Sequence, residues 1–182
     1  MGFFRFVGAN SARVASFRSQ AGNKGDLFRS YNSIDDVPAI YRQDPRFTSL
    51  ASDPAHGGEV TMGGMREAMA GLEAEALGSV RAIQRGPAQI EFYNVHGMPY
   101  DVKTPPSLQG VKFNANKVAN SILGQLNKTF RNSITGQHEP IKVILDSIYL
   151  NSADNADLWQ KLRSLSSAEQ RKNIIELNTR TQ

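Results

Sequence analysis

A chain of 182 residues, 40% of them hydrophobic, with 15 glycines and 8 prolines, can hold one globular domain with sizeable loops. The absence of cysteine excludes disulfide frameworks, thiolate metal sites and a cysteine nucleophile. The net charge of +4 favours an anionic partner such as nucleic acid, an anionic membrane surface or an acidic protein.

No apolar run approaches the ~20 residues of a membrane-spanning helix. The opening Met1-Gly2-Phe3-Phe4-Arg5-Phe6 is too short and interrupted for a secretion signal. Residues 1–57 are rich in Ser, Asn, Gly and Arg and are punctuated by Asp44-Pro45 and Asp53-Pro54, which breaks regular structure. Asn10 to Ser19 can make a short basic helix, and Ile34 to Tyr41 a turn or two. This part reads as a leader or linker packed on a main domain at 58–182.

Within the main domain, Met65, Met69, Leu72 and Ala76 trace an apolar helical stripe that ends near Gly78. Taking about 100° per residue from Met65, Glu73 and Glu75 flank that stripe near +80° and −80°, whereas Glu67 points away near 200°. A β-hairpin follows from about Gln89 to Thr104. Side chains alternate across a strand, so Ile90, Phe92, Tyr100 and Val102 share one face and Glu91, Asp101 and Lys103 the other. Pro105-Pro106 ends it. Residues 112 to 130 predict a second helix, and Ile141 to Leu150 a strand buried on both faces. Two short helices close the chain, the second opened by a capping box at Ser166 and Glu169. This order predicts an α+β fold, a small mixed central sheet flanked by helices.

The chemistry concentrates on the hairpin. Two carboxylates beside an ammonium on rigid backbone suit a metal-dependent nuclease, in which acids hold a hard divalent cation and the lysine offsets charge on the attacked phosphate. The Asp-x-Lys spacing of Asp101 and Lys103 arises by chance roughly once in a chain of this composition, so its weight comes from its place on a strand face opposite the apolar residues. The competing reading is a solvated cross-strand ion pair with Glu91. His56, His96 and His138 are too scattered for a histidine cage, and Trp159 reads as a packing anchor. After Lys103 the chain carries ten Lys or Arg against six Asp or Glu; residues 58–103 carry four against six. Lys112, Lys117, Lys128 and Arg131 can grip a phosphate backbone, which would make binding salt-dependent.

Arg66-Glu67-Ala68, Gly71-Leu72 and Glu75, followed by Ile90-Glu91-Phe92 and Tyr100-Asp101-Val102-Lys103, resemble a nuclease module of the restriction-endonuclease-like PD-(D/E)xK superfamily. Such modules occur at the C-terminal tips of filamentous-haemagglutinin-type contact-dependent growth inhibition proteins. The resemblance spans about residues 59 to 150. It implies a restriction-endonuclease-like sheet and metal-dependent phosphodiester hydrolysis, with Mg²⁺ the expected ion and Mn²⁺ or Zn²⁺ alternatives. Glu91 would be the first strand acid, Asp101 and Lys103 the (D/E)xK pair, and Glu75 or Glu67 the helix acid, the stripe angle favouring Glu75. Glu75, Glu91 and Asp101 would then hold the metal. The chain departs from the family pattern at Asn94, where an Asp is expected, and no Pro-Asp precedes the hairpin. The resemblance further implies a secreted or surface-delivered tail of a larger protein that acts in a target cell's cytoplasm and is neutralised by a cognate immunity protein. DNA is slightly favoured as substrate. A transfer-RNA-cleaving toxin of the same fold, a housekeeping restriction or repair endonuclease, and a non-enzymatic nucleic-acid- or partner-binding module are the alternatives.

Overall fold

A computed structural model of the chain describes residues 24–180; the helix expected over Asn10 to Ser19 lies outside them. A five-stranded mixed sheet organises the molecule. Its strands are β3 (Gln84–Arg85), β4 (Phe92–Tyr93), β5 (Pro99–Lys103), β8 (Lys142–Asp146) and β9 (Ile174–Leu177), side by side in that order. The first three are antiparallel neighbours, whereas β5, β8 and β9 run parallel. Parallel neighbours need crossovers, which are usually helical. Here α5 (Ala115–Leu126) lies between β5 and β8, and α6 (Ser152–Leu165) with α7 (Ala168–Arg171) lies between β8 and β9. The fold is α+β, as the order of predicted elements implies.

Alternation along β8 divides the interior into two layers. Val143 and Leu145 pack with Ala119 and Ile122 of α5 and with Leu158 and Leu162 of α6. On the opposite face, Ile144 joins Phe92, Tyr100 and Val102 beneath α4 (Met62–Ala76). Thr61 caps α4 by accepting from Gly64 N–H, and Gly78, at φ +74°, follows its last turn, where only glycine adopts the left-handed conformation without strain. Gly71 lets α4 lie close to the sheet: a Cβ there would stand 2.7 Å from both Phe92 and Ile83.

Residues 24–57 are integral to this core. They form α1 (Lys24–Arg29), α2 (Ala39–Arg42) and α3 (Phe47–Ala51), then β1 (Ser52–Asp53), which pairs with β2 (Glu59–Val60). Tyr31, Val37, Tyr41, Phe47 and Leu50 are buried in the same cluster as α4 and the sheet. The expected division near residue 57 therefore does not separate two packing units. Polar groups enter this core as well. Tyr41 Oη donates to Glu73 Oε2 at 2.7 Å, and Arg180 pairs with Asp146, both almost fully buried, beside Tyr31 and Tyr149.

Several boundaries move. The second helix is confined to Ala115–Leu126, capped by Asn114, and Phe130 belongs to β6 (Thr129–Arg131), which hairpins with β7 (His138–Pro140). The strand expected over 141–150 stops at Asp146, and a 3₁₀ turn takes Ser147–Tyr149. Of the two closing helices, α6 is 14 residues long rather than short. The capping box sits one residue later than expected, on Ser167 and Gln170. The edge strand β9 has no counterpart in the sequence reading.

Candidate active site

The pairing of Phe92 with Tyr100 sets Glu91 opposite Asp101, on the face away from Phe92 and Tyr100. Regular pairing with β4 ends here: Glu91 N–H still donates to Tyr100 O at 3.0 Å. One residue further along β5, the Val102 N–H finds no backbone partner on this side and donates instead to Glu91 Oε2 at 3.3 Å. A side-chain carboxylate thus replaces a missing strand and is fixed beside its neighbour. Lys103, two residues on from Asp101 and on the same face, places Nζ 2.6 Å from Asp101 Oδ2.

The pair is sheltered. The Asp101 side chain is 3% exposed and that of Lys103 22%, so Lys103 is the more accessible partner. Burial, the Asp101 charge and then Glu67 push the Glu91 carboxyl up to about 8. The Asp101 charge opposes ionisation of Glu91 and comes second only to burial. Asp101 Oδ2 is shut off from solvent and meets Lys103 as an ion pair without a formed hydrogen bond.

The α4 carboxylate that faces the pair is Glu67, not Glu75. Glu67 faces Arg85, Lys103, Asp101 and Asp53. Burial raises its pKa, against the opposing pull of Arg85 and then Lys103. Arg85 Nη1 lies 3.7 Å from Glu67 Oε2 and donates to Leu50 O at 3.2 Å, while Nη2 is 3.8 Å from Asp53. Arg85 thus lies between Glu67, Asp53 and the Leu50 carbonyl, and no motif marks it in the sequence. Glu75, two turns along α4 and roughly 12 Å away by helical rise, is occupied elsewhere. Arg46 grips both its oxygens at 2.9 and 3.1 Å, and Ile83 N–H donates to Oε2 at 2.9 Å. Burial works to raise the Glu75 pKa, but these bonds outweigh it and hold it below the ordinary value. The stripe angle misplaced Glu67 because α4 is buried round most of its circumference, including Glu73, Ala70 and Ala74, while Ala76 of the expected stripe is exposed.

Asn94, where the family pattern carries an acid, serves the hairpin turn. Its Oδ1 accepts from His96 N–H at 2.9 Å and Met98 N–H at 3.0 Å, on the Phe92 side of the sheet. Of the four candidate phosphate-gripping residues, Lys112 and Lys117 line a cavity of about 390 Å³ together with Lys103. Lys128 and Arg131 lie at the other end of α5, near the start of β8, where Lys128 O accepts from Ile141 N–H. His138 is exposed on β7, and Trp159 packs with the α5–α6 layer.

Among the described residues, no three His, Asp or Glu side chains are already gathered at metal-binding spacing. The donor set still suits a hard cation. Glu91 and Asp101 are held side by side with a mutual repulsion that a divalent ion would relieve, Asp101 presents a buried oxygen lacking a hydrogen bond, and Glu67 faces the same point. All are carboxylate oxygens, which fit Mg²⁺ or Mn²⁺ better than Zn²⁺. No protein-family model, curated protein or solved structure matches this chain.

Proposed function

We propose that the protein is a metal-dependent nuclease of the PD-(D/E)xK type, in which Glu91, Asp101 and Glu67 would hold one or two divalent cations beside Lys103. The observation that carries this reading is the cross-strand placement of Glu91 against Asp101 with the Lys103 ammonium 2.6 Å away. A bound cation supplies Lewis-acid polarisation of the scissile phosphate and a lowered pKa for a coordinated water. The chain's own groups do the rest. Lys103 offers a positive charge to the phosphate oxygens and orients the nucleophile. Arg85 keeps Glu67 turned towards the site, and the Val102 N–H fixes the Glu91 carboxylate. Lys112 and Lys117 would hold flanking phosphates, and Lys128 and Arg131 a more distant stretch of backbone.

The resemblance to delivered growth-inhibition modules supports a toxin role, with DNA or RNA of a target cell as substrate and an immunity protein as the neutralising partner. Among the described residues no helix is long and apolar enough to cross a membrane. A binding module without catalysis is the second reading, favoured by the ion pair Lys103 already makes with Asp101.

Incubating the purified chain with plasmid and with total RNA, in Mg²⁺ and in EDTA, separates the two. The nuclease reading expects metal-dependent cleavage that Lys103→Ala removes, together with growth arrest on cytosolic expression of the active form. Cleavage of neither substrate by folded protein overturns it. Nucleic-acid binding that needs no metal and survives Asp101→Ala would establish the binding module instead.

A further inference from the structure

The cavity beside Lys103 has a chemistry that phosphodiester hydrolysis alone does not use. The chain leaves β5 at Lys103, loops through two prolines and returns at Asn114 to begin α5, enclosing about 390 Å³, within the range of small-ligand pockets, about 300–1,000 Å³. Phe113, Val111 and Val118 give it apolar walls, and Lys103, Lys112 and Lys117 give it a cationic rim. Lys112 and Lys117 are exposed, and neither forms an ion pair among the described residues. Val111 keeps 58% of its surface in solvent.

A nucleotide has the same two-sided character, a flat base with apolar faces and an anionic phosphate. The geometry points to this cavity as the seat of an unpaired nucleotide of the strand cut at the neighbouring site, its base against Phe113, Val111 and Val118 and its phosphates on Lys112 and Lys117. The inference rests on the nuclease reading and names its substrate class. A base stacked in an intact duplex cannot enter a side pocket, so the substrate is single-stranded nucleic acid or a duplex with an unpaired or extruded base.

The test is fluorescence anisotropy of the full chain in EDTA, where cleavage is blocked. Labelled twelve-nucleotide DNA and RNA single strands are compared with their matching duplexes. Single strands should bind at least about tenfold more tightly than duplexes, the scale of one base–side-chain stack, and the stronger of the DNA and RNA arms identifies the sugar. Val111→Ser, at an exposed position that leaves folding intact, should erase most of that preference. Lys112→Ala and Lys117→Ala should each flatten the dependence of log K on log salt by about one. Equal or tighter duplex binding, absence of binding by any oligomer, or a preference indifferent to both Val111→Ser and Phe113→Ala would overturn the assignment. Mg²⁺-dependent cleavage confined to perfect duplex would reject the pocket and retain the nuclease. Single-strand preference without any cleavage would reject the nuclease and retain the pocket.

Discussion

Replacing Glu91 with Gln should stabilise the fold, by an amount that grows as pH rises from about 4.5 to about 8. In the folded chain Glu91 titrates at about 8 rather than at its ordinary 4.5, chiefly through burial and then the Asp101 charge. Between those values the unfolded chain has released its proton while the folded chain keeps it. Stability therefore falls as pH rises from about 4.5 to about 8 and levels off above. The full displacement corresponds to at most ~5 kcal/mol. Relaxation around the buried group reduces that ceiling, so we expect the variant to gain about 2–4 kcal/mol at pH 9 and within about 1 kcal/mol of nothing at pH 4. An amide keeps the acceptor for Val102 N–H, which makes the substitution nearly isosteric. Urea unfolding in EDTA reads the difference as a midpoint shift of roughly 1–2 M. Added Mg²⁺ should raise the wild-type midpoint at pH 8 to 9 and do far less for the variant. A variant that is equally destabilised at both pH values would show that its surroundings do not hold Glu91 protonated, and the proposed site would fail with it.

Glu67→Gln and Glu75→Gln should part company. The first lowers metal-dependent cleavage by about 10–100-fold, the scale for ligands and their supports. The second loses bonds to Arg46 and Ile83, about 1–3 kcal/mol of stability, with cleavage retained; activity assays beside thermal melts check both. Phe47→Ala, at a side chain 1% exposed, should cost about 3–5 kcal/mol in chemical denaturation, as expected if residues 24–57 belong to the core. Gly71→Ala pushes a methyl into Phe92 and Ile83 and should cost about 1–3 kcal/mol, with a matching loss of cleavage as α4 lifts Glu67 from the sheet.

The hairpin was legible because period-two alternation survives in a short stretch, and the faces it assigned to Glu91, Asp101 and Lys103 agree with the observed register. The helix acid was not. A stripe drawn through Met65, Met69, Leu72 and Ala76 presumes one wet face, whereas α4 is wrapped by α3 on one side and the sheet on another. Gly64 meets Ala51 O and Gly71 meets Phe92, contacts that small residues conceal from a hydropathy pattern. The turn or two expected over Ile34 to Tyr41 overlaps a 3₁₀ turn at Ile34–Asp36 and most of α2, whereas α1 and α3 escaped notice because anchors such as Tyr31 and Phe47 are isolated among Asp, Pro and Ser. The half-exposed β9, Ile174-Ile175-Glu176-Leu177, is too short for alternation to declare itself.

The buried partnership of Arg180 with Asp146 bears on the timing of maturation. Asp146 ends β8, but its counter-charge comes from a residue later in the chain than every other part of the described core. During synthesis from the N-terminus, a nascent polypeptide holds an uncompensated acid in a dry interior until position 180 emerges, a situation that strongly opposes tight closure. The fold would accordingly remain slack until residue 180 has left the ribosome, and tighten in one late step.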